Sequence, residues 1–393
     1  KNTTGYENTA IGSYSLKANT SGYHNTAIGA YSLEANTTGY DNTAVGIDSM
    51  KSNTTGYGNV AVGHDALQDN TVGSRNTAIG YFALANNTNN ETDDFGFLGN
   101  TAVGYMALYS NTTGFGNNAI GDRALYSNTT GYGNSATGLV SLYSNTTGDE
   151  NTGVGIQSLY TNTTGDFNTA VGAEALWANT TASYNTALGW ESLNSNTTGE
   201  NNSAVGYRSM WSNTTGEKNT ALGNDALYSN TTANNNTAIG YKALYTQTSE
   251  GNYNVAIGLN SLYSNTGGDY NTALGTASLH DNTTGSYNTS SGMESMTNNT
   301  TGSYNTAFGD GALYTNTSGG TNTAIGRAAG GLNSTGSGNV FIGYNAGYNE
   351  TGSNKLYIDN SNTTSPLIKG DFANNTVTIN GDLTTTGTVT SNS

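Results

Sequence analysis

A branched aliphatic residue followed by glycine returns every 17 residues, and this interval restricts the possible folds more than any single side chain does. Ile11-Gly12, Ile28-Gly29, Val45-Gly46, Val62-Gly63 and Ile79-Gly80 open a series that runs to Ile342-Gly343. There are 20 anchor glycines, and the spacing departs from 17 twice: by seven residues between Gly80 and Gly104, and by one between Gly240 and Gly258. So strict a period, held through most of 393 residues, marks an array of small units stacked on their own copies.

One unit, Asn25 to Asp41, carries two large apolar positions: Ile28 before the glycine and Leu33 four residues after it. The second position is Leu or Met in 18 units, from Leu16 to Leu313. Helical repeats need about 33 residues or more, and a chain with 54 Gly and abundant Asn and Thr opposes helix on propensity. Short strands joined by tight turns fit the period, with Asn-Thr-Thr-Gly at one corner and the aliphatic-glycine step at another. The expected fold is all-β: a β-solenoid, or parallel β-roll, of about 20 coils with 17-residue repeats. At about 4.8 Å per coil such an array makes a rod roughly 95 Å long. Both aliphatic columns are expected inside, with asparagines such as Asn25, Asn42 and Asn59 bonded amide to amide along the stack.

Composition narrows the function. Net charge is -16 with 11 Lys and Arg, so the chain has no electrostatic footprint for nucleic acid and is repelled by anionic lipid. There is no cysteine, hence no disulfide framework or thiolate metal site, and no cofactor is expected. No run approaches about 18 apolar residues, so no membrane insertion is expected in this segment. The chain begins at Lys1-Asn2-Thr3-Thr4, already inside the repeat, and reads as a mature or excised segment. The fixed apolar register argues against disorder despite the polar composition.

Residues 1–352 form the expected array and residues 353–393 a separate β-rich connector. The connector has short strands at Lys355–Ile358, Pro366–Lys369 and Thr376–Ile379. The insertion at about 85–98 should bulge from a corner; its Glu91, Asp93 and Asp94 match no complete calcium-loop spacing and read as a solvated loop.

Several columns suggest surfaces. If Ile28 faces inward, the adjacent Ala27 faces out, yet Ala27, Ala44, Ala61 and Ala78 stay small. A partner backbone approaching this column is the simplest explanation, and self-packing of a narrow coil is the other. After the inward Leu comes an aromatic stripe: Tyr109, Tyr126, Tyr143, Tyr160, Trp177, Trp211, Tyr228, Tyr245 and Tyr263. It suits sugar rings as a glycan-binding ladder, but rings stacking on one another is the preferred reading. Further aromatics precede the repeat Asn by two residues (Tyr6, Tyr23, Tyr40, Tyr57, Phe115, Tyr132) and later by one (Phe167, Tyr184, Tyr253, Tyr270, Tyr287, Tyr304). A one-residue shift reverses facing on a strand, so the two sets share no evident role. Glu174, Glu191, Arg208, Asp225 and Lys242 read as an exposed ion column.

Catalysis finds little support. His24, His64 and His280 occupy different coil positions without a repeating triad partner, and Gly153-Val154-Gly155 is a substitution in the alanine column rather than a dinucleotide loop. Glu174 and Glu191 have a carboxylate spacing that a glycosidase uses, but no cleft surrounds them in sequence. The Asn-Thr-Thr triplets belong to the corner and carry little weight as glycosylation sites.

The Asn-Thr-Ala-Ile-Gly and Asn-Val-Ala-Val-Gly steps, Asn25 to Gly29 and Asn59 to Gly63, resemble repeats in the head domains of trimeric autotransporter adhesins. The stretch from Asn354-Lys355-Leu356-Tyr357-Ile358 to Gly381-Asp382-Leu383 is similar to the segment preceding an intramolecular chaperone in phage-type tail fibres. The resemblance implies a left-handed, homotrimeric roll that is extracellular, on a bacterial surface or a phage virion, and that attaches to a glycan or protein receptor. An adhesive or structural fibre without enzyme activity is therefore expected. An ice-binding solenoid, using stacked threonines such as Thr37, Thr54 and Thr71, and a polysaccharide-processing tailspike are the alternatives.

Overall fold

A computed structural model describes residues 2–88 and 99–387. The chain divides into two compact units, residues 1–215 and 216–393. In the first, twelve three-residue strands run from β1 (Thr9–Ile11) to β12 (Ser203–Val205). Each pairs in parallel with the next, like over like, as in Thr26↔Thr43, Ala27↔Ala44 and Ile28↔Val45. In the second unit eight such strands, β13 (Thr220–Leu222) to β20 (Val340–Ile342), stack in the same way. No helix occurs among the described residues. Both units are β-solenoids with the expected 17-residue coil.

The strands are short because the remaining backbone also bonds to the neighbouring coil. Thr37 N donates to Thr54 O at 2.9 Å, Leu33 N to Ser49 O at 3.1 Å, and Gly29 N to Ile11 O at 2.8 Å. Sharp corners make this possible. Gly29 has φ 136°, and a Cβ there would strike the Gly46 carbonyl of the next coil, which is why glycine holds this column. Two residues on, Tyr31 (φ 59°) and Leu33 (φ 49°) adopt the left-handed conformation although neither is glycine. That conformation is uncommon for such residues, and burial of the leucine offsets its cost of about 1–3 kcal/mol.

The inside of the coil departs from the sequence reading. Ala27, Ala44, Ala61 and Ala78 are fully buried within their own chain and so form no surface for a partner. Ile28, expected inside, is 38% exposed. Alternation along a three-residue strand sends the central residue one way and both flanks the other, and the coil is too narrow for two large aliphatic columns. Leu33 fills it together with Ala27 and Ser32. The alternative of self-packing was therefore the right one for the alanine column.

Polar ladders complete the interior. Asn42 Nδ2 donates to Asn25 Oδ1 at 3.2 Å and to Gly56 O at 2.8 Å, while Asn42 N donates to Asn25 Oδ1 at 3.1 Å. A second column bonds Asn36 Nδ2 to Asn19 Oδ1 at 2.9 Å and to Gly39 O at 3.1 Å. In these coils the amides satisfy one another and the corner carbonyls, which makes full burial of asparagine tolerable, whereas near the far end Asn316 Oδ1 and Asn333 Oδ1 lack a partner.

The longer irregularity of period leaves this interior intact, and the shorter one leaves Asn236 Nδ2 buried without a partner. Across the seven-residue insertion, Asn111 Nδ2 still reaches Asn87 Oδ1 at 3.0 Å. Ala85 to Thr88 keep the coil path, with Thr88 N on Thr112 O at 2.9 Å, so the expected loop starts later than residue 85. Residues 89–98, including Glu91, Asp93 and Asp94, lie outside the described residues. Across the one-residue insertion, Gln247 replaces Asn, and Asn265 Nδ2 reaches Gln247 Oδ1 at 3.2 Å.

At the far end of the second unit the leucine column becomes Gly330 and Gly347, and the alanine column becomes Phe341. Phe341 is fully buried, and a Cβ on either glycine would collide with its ring. One large side chain takes the volume of two. Next come β21 (Lys355–Ile358), parallel to β20, then β22 (Ile368–Asp371) and β23 (Thr376–Ile379), both antiparallel. Tyr357 pairs with Phe341 and is nearly buried.

Candidate functional site

The outward flank of each strand is the most regular surface. Its two columns read Thr9/Ile11, Thr26/Ile28, Thr43/Val45, Val60/Val62 and onward to Val340/Ile342, and none of the twenty strands places a charge in either. In a chain carrying 38 charged side chains, 11 basic and 27 acidic, the exclusion is a property of this face. The aliphatic members are exposed: Ile11, Ile28, Val62, Ile79, Ile120, Leu188, Leu222 and Phe308 among them. Just past the glycine, a neighbouring mixed column exposes Ile47, Leu139, Ile156 and Trp190 together with His64 and Asp122 in the first unit, and Leu259 and Met293 together with Arg327 in the second. The sequence signal for this face was the tolerance of the aliphatic column, which admits Thr137, Ser291 and Phe308, against the restriction of the alanine column.

The aromatic stripe, weighed as a glycan ladder against stacked rings, is a ring stack. Tyr109, Tyr126, Tyr143 and Tyr160 stand 5.1–5.4 Å apart with planes within 16°, and Trp177 follows at 6.0 Å. Tyr228, Tyr245 and Tyr263 continue likewise in the second unit at 5.1–5.2 Å, ending on His280. All, with Trp211, are half-buried. Within the stacks the ring faces lie against one another, so a sugar would meet edges and phenol oxygens rather than the faces that make CH–aromatic contacts.

The second aromatic series has a local cause. Where the position two before the Asn holds a ring, as at Tyr6, Tyr23, Tyr40 and Tyr57, successive rings stack at 4.9–5.1 Å. Where it holds Asp or Ser, that side chain accepts the backbone N–H of the preceding coil: Asp149 N donates to Asp166 Oδ1 at 2.8 Å, and Asp269 N to Ser286 Oγ at 3.1 Å. The aromatic then moves one residue on, where the left-handed backbone (Tyr287, φ 58°) carries it outward. Tyr253, Tyr270, Tyr287 and Tyr304 form that outer stack at 4.9–5.0 Å. Burial raises the pKa of the Asp149 carboxyl, with nearby Asp166 adding to the effect.

The threonines of the corner motif do not form a free array. Thr37 Oγ1 donates to Thr54 O at 3.1 Å, and Thr54 Oγ1 to Thr71 O at 3.0 Å. Charged groups pair along the stack. Arg208 Nε meets Glu191 Oε2 at 2.7 Å, so Glu191 is not a free carboxylate beside Glu174, and His24 bridges Glu7 at 2.9 Å and Asp41 at 3.0 Å. A shallow groove of 650 Å³ lies between Lys17, Glu34 and Lys51. Its lysines are engaged, Lys17 by Glu34 at 3.1 Å and Lys51 by Asp48 at 3.0 Å. Among the described residues no group of three or more His, Asp and Glu is placed to hold a metal, and no helix is long and apolar enough to cross a membrane.

No family model and no curated protein sequence matches the chain.

Proposed function

We propose that this chain is part of a homotrimeric, extracellular fibre on a bacterial surface or phage virion, a structural and adhesive element without catalytic activity. The observation that carries this reading is the uncharged, largely Thr/aliphatic face repeated on the twenty coil strands. Exposed β-branched and aliphatic rows on a regular ladder invite cover, and a second copy offers the same rows at the same spacing. In the first unit twelve coils present a strip about 58 Å by 10 Å, so two copies bury about 1,200 Å², the lower edge of stable specific interfaces. Beyond the glycine a mixed column, apolar at Ile47, Leu139, Ile156 and Trp190 and charged at Asp122, gives each chain an adjoining surface for a three-fold arrangement. The interface assignment thus passes from the alanine column to the strand flanks. Attachment to a glycan or protein receptor would follow from weak contacts summed along the array.

Light scattering on the purified chain tests the reading. Three chains per particle are expected, with dissociation in a Val154→Lys/Val171→Lys variant that keeps its circular dichroism. A monomer at every concentration overturns it.

One observation favours the ice-binding alternative: a threonine column does stand on a flat outer ladder, at Thr26, Thr43 and Thr77 rather than at Thr37, Thr54 and Thr71. Self-association would cover that face, so thermal hysteresis from a monomer decides for ice and its absence decides against.

A further inference from the structure

The geometry points to the column Tyr253, Tyr270, Tyr287 and Tyr304 as a site of oxidative cross-linking, where peroxide with a one-electron oxidant such as a haem peroxidase joins successive coils through dityrosine. Three observations converge there. Successive ring centroids lie 4.9, 5.0 and 5.0 Å apart with interplanar angles of 2°, 10° and 1°. The rings are 47–61% exposed, so an oxidant reaches them and they can turn toward each other. The chain has no cysteine, the side chain that would otherwise be oxidised first. The columns Tyr109 to Tyr160 and Tyr6 to Tyr57 are equally stacked, but every ring in them except Tyr6 is half-buried.

The chemistry balances. Each of two phenols gives up one electron and its phenolic proton, and the two phenoxyl radicals form one carbon–carbon bond between positions ortho to their oxygens. The hydrogens on those carbons then return to the oxygens as the rings regain aromaticity. The pair loses two hydrogen atoms in all, which reduce one peroxide to two waters. The product is a covalent staple across a ladder otherwise held by hydrogen bonds, independent of how many chains assemble.

The test exposes the intact chain to hydrogen peroxide and a peroxidase, followed by proteolysis at acidic residues. Cuts at Asp269, Asp281, Glu294 and Asp310 leave Tyr270, Tyr287 and Tyr304 on separate fragments. Linked pairs of neighbouring fragments, each lighter by two hydrogens, are expected together with blue dityrosine fluorescence. A Tyr270→Phe/Tyr287→Phe variant keeps the rings but should lose the links from fragments 270–281 and 282–294. Mixing isotope-labelled with unlabelled chains separates links within a chain from links between chains. Absence of links in this column, links scattered over all tyrosines, or mixed-label pairs at the proportion that random pairing between chains gives would overturn the proposal. The light-scattering result on subunit number bears on none of these outcomes.

Discussion

Within the second unit, the coils from β13 to β20 and the terminal meander β21–β23 are both sheet, yet different forces hold them. In the coils, neutral amides and carbonyls repeat in register around a buried strip of alanine and leucine, and every backbone turn is pinned between two copies of itself. The meander has four-residue strands in two antiparallel ladders, β23 is exposed throughout, and single side-chain contacts add to those ladders. Lys355 Nζ donates to Asp371 Oδ2 at 2.8 Å and Tyr357 Oη to Glu350 Oε2 at 2.8 Å. Repetition makes each coil residue answer to two neighbours, whereas a meander residue answers to few. Substitutions should therefore be far costlier in the coils.

Glycine gives the widest contrast. Gly292→Ala places a Cβ against the Gly309 carbonyl at φ 139°, and should cost about 3 kcal/mol or more in chemical denaturation. Gly381→Ala meets only the Leu367 side chain at 3.4 Å, and should stay within about 0.5 kcal/mol. Equal effects would remove the distinction.

Asparagine follows. Asn282→Ala deprives Asn265 Oδ1 of a donor at 2.8 Å and Asn299 Nδ2 of an acceptor at 2.7 Å, both buried. Asn265 Oδ1 then keeps only the Gly268 N–H at 3.2 Å and Asn299 Nδ2 only the Gly302 carbonyl at 3.0 Å, so a loss of about 1–3 kcal/mol in all is expected, read from the same denaturation curves. Asn374→Ala, on an exposed bond of 3.0 Å to Asp371 Oδ2, should cost less than about 0.5 kcal/mol.

Acid produces the smallest and most local effect. The Lys355 ammonium holds the Asp371 carboxyl at about 2, helped by Asn374. A depressed carboxylate contributes stability that is complete above its unfolded value of about 3.9 and is lost as pH falls through its folded value. Between about pH 5 and pH 2, amide exchange corrected for intrinsic rate should speed up across Lys355–Ile379 and change little in the neutral Asn ladders. At the alkaline end, burial and the bond to Glu350 push the Tyr357 phenol up to about 12. That contribution is complete below about 10 and fades as pH rises toward 12.

Much of the architecture was legible in the sequence because a period needs no knowledge of packing. The coil length, the inward leucine column and the amide ladder at Asn25, Asn42 and Asn59 all follow from it. Two of the three terminal strands fell where hydropathy put them, while the middle one begins at Ile368 instead of Pro366. Facing was misread because size stood in for burial: Ile28 is larger than Ala27, but only the smaller fits a coil already filled by Leu33. Variation within a column was the better signal, since an interior position takes a much larger side chain only with compensation, as Phe341 does against Gly330 and Gly347. The left-handed residues at His24, Tyr31 and Leu33 left no mark of their own in composition, so the corners, including the one before the repeat Asn that aims the outer tyrosines, were hidden.

The replacement of two leucine positions by Gly330 and Gly347, balanced by Phe341, has an evolutionary corollary. Ordinary coils are interchangeable, so excising 17 residues from the middle of a unit rejoins matching ends and shortens the molecule by one step of about 4.8 Å. The phenylalanine coil is not a free token of this kind: its three altered positions must be inherited together, in one order, beside Tyr357. Length is thus open to revision by unequal recombination everywhere except at the place where the array stops.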